Sequence, residues 1–368
     1  MPSGTTTIKR HAVLLSGGVD SSTALAELVR QGLPLTAFYL KVWLEDEFDH
    51  LGGCPWEEDL AYARAVCERF DVELRVVPLQ LEYYERVVAY TLDELRAGRT
   101  PSPDIFCNER IKFGAFFDYL LEHEVEQHMP IATGHYARIL DRGDHVELAR
   151  SPDPVKDQTY FLSHLHQEQL RRIVFPIGSL EKEEVRRRAH ELDLPNKARR
   201  DSQGICFLGR IRYPEFVRHY LGERPGDIVE LETGAVLGPH RGYWFYTIGQ
   251  RTGLGLSGGP WYVVRKDPPT NVVYVSHSRD ADDRARRSFA VTELSWTWRP
   301  PEHDRLLMKI RHGPDLIDAA VRWVGEQRIE VTMDRGDRGV APGQFAVFYD
   351  GEVCLGCGKI ADDGFPSS

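Results

Sequence analysis

The residues of this chain best suited to chemistry are a glycine–serine loop near its start and two cysteines in distinctive surroundings. Ser16-Gly17-Gly18-Val19-Asp20-Ser21-Ser22 lies between an apolar run, His11 to Leu15, and a segment, Asp20 to Gln31, whose Ala24, Leu25, Leu28 and Val29 share one helical face. Glycines at a strand-to-helix junction let backbone N–H groups crowd around an anion, and the helix N-terminus adds partial positive charge. Ser21 and Ser22 offer hydroxyls to the same anion. No lysine follows the glycines, so this is not a Walker loop, and the site suits the pyrophosphate of a nucleotide. The plainer alternative is a tight turn in which Ser and Asp merely cap the helix; the full seven-residue string favours phosphate.

Cys107 follows a Pro-rich loop and precedes a helix expected to open at Asn108, where the helix dipole favours thiolate. Asp104 pulls the other way and could handle a proton. Cys206 sits in a Gly-bearing loop after a stretch holding Lys182, Arg186, Arg187, Arg188, Lys197, Arg199 and Arg200, so an exposed thiol in positive surroundings is expected. On charge alone that basic stretch reads as a solvated helix face. An isolated cysteine is more often a buried, inert residue, and it is the flanks that favour function here. Cys354-x-x-Cys357 resembles half a zinc ribbon without its second pair, and a structural β-turn is expected. Cys54 and Cys67 read as packing residues, and Trp296 and Trp298 as parts of a β core. No metal-ligand set is expected in the protein itself.

Strand-like runs at His11–Leu15, Leu35–Leu40, Leu74–Val77 and Ile131–Thr133 alternate with helical patterns over Trp56–Phe70, Glu82–Ala97 and Asn108–Leu121. Such alternation implies an α/β fold with a doubly wound parallel sheet. After about Gly209, short β-rich runs take over: Trp244–Ile248, Trp261–Val264, Val272–Val275, Leu306–Ile310, Ala319–Val324, Ile329–Met333 and Ala346–Tyr349. The expected division is a large α/β domain over 1–212, a small connecting domain over 213–286 and a small antiparallel β-barrel or sandwich over 287–368.

With 368 residues, 42% hydrophobic and 28% charged, the chain has the composition of a multidomain globular protein. It has neither a membrane-length apolar run nor a signal-peptide pattern, which predicts a cytoplasmic protein. Six cysteines are too few and scattered for a disulfide scaffold at this length. A net charge of −10 argues against non-specific coating of nucleic acid, though not against a local basic face.

Further strings narrow the identity: Gly98-Arg-Thr-Pro-Ser-Pro-Asp-Ile-Phe-Cys107-Asn-Glu-Arg-Ile-Lys-Phe113, Ala132-Thr-Gly-His-Tyr136, Lys156-Asp-Gln-Thr-Tyr-Phe161, Asp201-Ser-Gln-Gly-Ile-Cys206-Phe-Leu-Gly209 and Gly249-Gln-Arg-Thr-Gly-Leu-Gly255. With the phosphate loop they resemble, in order and from about Ala12 to about Ile360, the bacterial tRNA-specific 2-thiouridylases of the ATP pyrophosphatase superfamily. The resemblance implies an adenine nucleotide alpha hydrolase-like catalytic domain that uses ATP and Mg²⁺ to adenylate the 2-carbonyl of a wobble uridine. It assigns ATP contacts to Leu14, Leu15, Ser16, Gly17, Gly18, Val19, Asp20, Ser21, Leu40 and Gly134. Cys206 matches the carrier of a persulfide and Cys107 the partner thiol that closes a disulfide with it. Ser102, Pro103, Asp104, His135, Lys156, Asp157 and Gln158 match the surface near the target base, and Arg311, His312 and Gln344 match distal tRNA contacts. By itself His135 would read as a satisfied strand-end histidine. Many relatives have Tyr at His312, Asn at Ser102 and Thr at Gln203, three positions at which this chain departs from the family pattern. The implied partners are tRNAs of the Glu, Gln and Lys acceptors and a protein sulfur donor such as a cysteine desulfurase or sulfur-relay protein, with no membrane and a monomeric chain. Competing readings are an amidating or lysidine-forming relative and a non-catalytic tRNA-binding protein.

Overall fold

The computed structural model describes residues 9–42, 55–123, 129–200, 212–277 and 285–362. A five-stranded parallel sheet forms the first part of the chain from β1 (His11–Leu14), β2 (Leu35–Lys41), β3 (Leu74–Pro78), β4 (Ile131–Ala132) and β7 (Ile173–Val174), in the order β3-β2-β1-β4-β7. The alternation of β1 shows why both faces are covered. Ala12 and Leu14 enter one core with the helices of 80–96 and 103–123, while Val13 and Leu15 enter another with α1 (Val19–Arg30) and α2 (Pro55–Phe70). The chain order reverses between β1 and β4, and open α/β sheets bind ligands at the carboxyl ends of the strands beside such a switch.

The two helices on the first face differ from expectation. The helix expected to open at Asn108 starts at Pro103, where proline is tolerated because the first turn has no internal donor to lose. Both contain a wide π turn, over Tyr84–Val88 and Cys107–Ala115, a feature frequent at functional sites.

A second sheet runs β10-β11-β8-β9, from β8 (Gly226–Glu230), β9 (Val236–His240), β10 (Trp261–Asp267) and β11 (Val272–His277). The strand expected over Trp244–Ile248 is absent; a single 3-10 turn occupies Tyr243–Phe245, and its aromatic side chains pack into the main core. The last sheet closes on itself. Strands β12 (Arg286–Trp296), β13 (Arg305–Lys309), β14 (Ile317–Gly325), β15 (Arg328–Asp337), β16 (Phe345–Asp350) and β17 (Val353–Ile360) run β12-β15-β14-β13-β16-β17, and β17 pairs back to β12.

The barrel is also continuous with the α/β part. A hairpin of β5 (Ala137–Asp141) and β6 (Val146–Arg150) joins its sheet, with Val353 opposite Ala149 and Cys354 opposite Leu148. Alternation along β16 serves both sides: Ala346 and Phe348 fill the barrel, while Phe345, Val347 and Tyr349 pack into the core of the α/β part. Cys354 and Cys357 lie on β17, fully buried, and not in the expected turn. Burial pushes the Cys357 thiol up to about 12. Cys67 packs in the core around α1 and α2. Trp296 packs against Phe348, but Trp298 lies outside the core, stacked on His145 with ring centroids 3.5 Å apart.

Candidate active site

The loop Ser16–Ser22 leaves β1 at the switch point and turns into α1. Gly17 has φ +75°, and a Cβ there would stand 2.2 Å from the Asp59 carbonyl oxygen, so both conformation and space demand glycine. Gly18 is the extended N-cap. The Ser21 hydroxyl binds back into the loop, accepting from the Ser16 N–H at 3.2 Å and donating to the Gly18 carbonyl at 3.1 Å. Gly134, just past β4, presses against the same turn: a Cβ would lie 2.6 Å from the Ser21 nitrogen. The loop of the phosphate string and the Gly134 string, far apart in sequence, thus meet at the switch point. The side chains of Leu14, Leu15 and Val19 are core residues, so any ligand contact they make is through backbone. Leu40, at the end of β2, is only partly buried.

Asp20 is held from two sides. Lys182 Nζ reaches its two carboxylate oxygens at 2.7 and 2.9 Å, and the Tyr136 hydroxyl donates to it at 2.9 Å. Lys182 opens α7 (Lys182–Glu191), which lies across α1, and Arg188 of α7 pairs with Glu27 at 3.0 Å. Arg199 pairs with Asp59 and Arg186 donates to the Arg199 carbonyl at 2.6 Å. Lys182, Arg186, Arg188 and Arg199 of the basic stretch are thus turned inward onto the loop and its helices, while Arg187 and Arg200 are exposed. Composition could not distinguish these cases, because the partners are remote in sequence.

The expected base-side residues gather where the α/β part meets the barrel. Gln158 accepts from the Tyr136 N–H and donates its own N–H to the Tyr136 carbonyl, both at 2.9 Å, which ties 156–158 to the Gly134-His135-Tyr136 loop. Asn108 Nδ2 bridges the carbonyls of Asp104 and Phe161 at 3.1 Å each, and Lys112 donates to its Oδ1 at 2.9 Å. His312 stacks on Phe161 with centroids 4.7 Å apart and meets the Asp157 carbonyl at 3.2 Å. Thr100 N–H donates to Pro342 O at 2.8 Å, bringing the turn before Gln344 beside the chain that leads to Ser102 and Pro103. Lys156 is partly buried, its backbone N–H on Asp153. His135 Nδ1 meets Thr133 Oγ1 at 2.8 Å, and burial, with Lys112 adding, holds the ring neutral well below its usual range.

Two expected substrate contacts are otherwise engaged. Asp157 is fully buried: Lys309 of β13, also fully buried, pairs with it at 2.8 Å, and Thr159 Oγ1 donates to it at 2.9 Å. Its side chain fastens the barrel to the α/β part. Arg311 is committed in part to Asp337 at 2.9 Å. The Gly249–Gly255 string abuts this region, since a Cβ on Gly249 would lie 2.9 Å from Gly339 Cα and one on Gly339 2.7 Å from Arg311.

Cys107 is 4% exposed, packed in the core, with its backbone N–H already bonded to carbonyls of the first turn. It lies one turn inside the helix, so the dipole assists it less than a position at the helix start would, and Asp104 takes that place. Cys54 and Cys206, with the Asp201–Gly209 string, lie outside the described residues. No group of three or more His, Cys, Asp or Glu side chains among the described residues could hold a metal.

Three family models match in succession: a tRNA methyl transferase HUP domain over residues 9–210, a tRNA methyl transferase PRC-barrel domain over 214–277 and an aminomethyltransferase beta-barrel domain over 286–360. A tRNA-specific 2-thiouridylase of Bacteroides fragilis is 44% identical over 95% of this chain and 99% of its own length. One from Parabacteroides distasonis is 43% identical over 96% and 99%. This chain belongs to the tRNA-specific 2-thiouridylase family. Among solved structures, the NMN synthetase from Francisella tularensis is 18% identical and covers 54% of this chain and 67% of its own at a TM-score of 0.32, too slight an overlay to add to that assignment. No described helix is long and apolar enough to cross a membrane.

Proposed function

We propose that this chain is a tRNA-uridine 2-sulfurtransferase: it spends ATP to activate the 2-carbonyl of a wobble uridine and replaces that oxygen with sulfur. The observation that carries the reading is end-to-end similarity to thiouridylases in a chain whose phosphate loop stands intact at the sheet's switch point. In this reading the uridine oxygen attacks the α-phosphorus and pyrophosphate leaves into the loop of Ser16 to Ser21. The terminal sulfur of a Cys206 persulfide then attacks the 2-carbon and AMP departs with the former carbonyl oxygen. Cys107, as thiolate, breaks the bond between that sulfur and Cys206 and leaves a Cys107–Cys206 disulfide for reduction. Because Cys107 is covered, this chemistry requires the helix start at 103–107 to move, and the π turn that follows supplies a place of weakened hydrogen bonding for it.

Magnesium would arrive held by the triphosphate, since Asp20, the loop's own carboxylate, is already paired with Lys182 and Tyr136. When bound, the ion neutralises charge on the departing pyrophosphate. The substrates proposed are tRNAs of the Glu, Gln and Lys acceptors, with Ser102, Pro103, Asp104, His135, Lys156 and Gln158 near the base and His312 and Gln344 beyond it. Sulfur comes from a cysteine desulfurase or relay protein, and a cytoplasmic monomer divided near residues 212 and 286 is proposed as the working form. The test supplies ATP, a sulfur source and tRNA and analyses the nucleosides by mass spectrometry. Oxygen-to-sulfur exchange in uridine supports the reading; an amine or lysine adduct, or no change, removes it.

A further inference from the structure

We propose that Asn196 and Arg199 are positioning residues that aim the phosphate loop, by pinning the Gly17 carbonyl away from the ligand. Asn196 is 1% exposed, and its Nδ2 donates at 2.8 Å both to the Gly17 carbonyl and to the Ser22 hydroxyl. Arg199 Nη1 donates to the same Gly17 oxygen at 3.0 Å. The orientation of the Asn196 amide follows from its partner: a carbonyl oxygen can only accept, so the NH₂ group must face it.

The consequence lies in the peptide plane. The cis peptide in the described residues is Gly259–Pro260, so the Gly17–Gly18 bond is trans and its C=O and N–H point in opposite directions. Two donors drawing the oxygen toward the turn at 194–199 therefore send the Gly18 N–H the other way, out to where an anion would sit. A free carbonyl in a glycine loop could rotate and present its negative end to the phosphates. The loop cannot escape sideways either, because the Asp59 backbone lies behind Gly17.

The clamp is itself well fixed. Leu194 is buried against Val19, Ala26 and Ala189, and the Arg199 N–H donates to the Asn196 carbonyl at 2.9 Å. The Arg199 guanidinium also pairs with Asp59 and stands over the Tyr62 ring at 5.0 Å. Nothing in the sequence pattern marks Asn196, since its partners are about 180 positions away, a separation the hydrogen bond itself records as 179.

The inference rests on the reading that the loop binds ATP, and calorimetric titration of the full chain with Mg-ATP, pyrophosphate and tRNA separates the two. Asn196→Ala and Arg199→Gln should each weaken ATP and pyrophosphate by about ten-fold. Asn196→Asp, which sets an oxygen against the Gly17 carbonyl, should weaken them by about a hundred-fold. Affinity for tRNA should stay within about two-fold of the parent, which shows that each variant is folded. A purely structural role would lower tRNA and ATP binding together. ATP binding within about two-fold of the parent in both Arg199→Gln and Asn196→Ala overturns the clamp. If the parent chain binds neither ATP nor pyrophosphate, it is the reading of the loop that fails.

Discussion

Replacing Lys309 with Met tests the joint between the barrel and the catalytic part. Lys309 and Asp157 are both fully buried and stand 2.8 Å apart. The substitution preserves the length of the side chain and removes the charge, leaving the Asp157 carboxylate with Arg150 Nε at 3.4 Å and donors from Ser151 and Thr159. Three neutral-group donors and one long charged contact do not replace a buried ammonium, so unfolding in urea should require about 3–5 kcal/mol less free energy. Repair should come from removing the second charge as well: Lys309→Met with Asp157→Leu should recover most of the loss, since an apolar pair of similar volume is often neutral or better. The cycle is read from denaturation midpoints of the two single variants and the double variant. A Lys309→Met loss below about 1 kcal/mol, or a double variant as unstable as the sum of the singles, would refute the idea that these two charges hold the joint.

Gly134→Ala should raise the KM for ATP with little effect on tRNA affinity, because its Cβ would push on Ser21 backbone at 2.6 Å; steady-state kinetics against each substrate checks this. Cys206→Ser should still adenylate tRNA and release pyrophosphate yet form no thiouridine, and full thiolation by it would end the persulfide assignment. His135 is held neutral, with its folded pKa well below the 6.5 of the free side chain. Below pH 6.5 the unfolded chain binds a proton that the folded chain refuses, so stability falls as pH falls. His135→Asn should flatten that decline down to about pH 5 in thermal melts at stepped pH, leaving the part contributed by His11, His240 and His312, which burial shifts the same way.

Local pattern was a good guide wherever neighbours in sequence do the work. The period of Ala24, Leu25, Leu28 and Val29 matches α1, and the apolar run at His11 matches β1, because helix and strand faces repeat over a few residues. The hairpin of β5 and β6 was not legible, since its partner strand lies some 200 positions on and short mixed strands lack a strong period. Nor was the start of the Cys107 helix, where a proline that reads as loop became the first helical residue.

The sequence by itself determined the chemistry on offer: which loop can hold pyrophosphate, which cysteines have informative flanks, and which family shares the strings. Tertiary structure alone decided which charges are working parts. Lys309 is one polar residue in an ordinary strand until the catalytic part covers the outer face of the barrel, and Lys182 belongs to a basic run until α7 lays it on Asp20. The physical reason is common to both. A charge acquires its role from the solvent it loses and the partner it meets, and both are set by residues more than a hundred positions away.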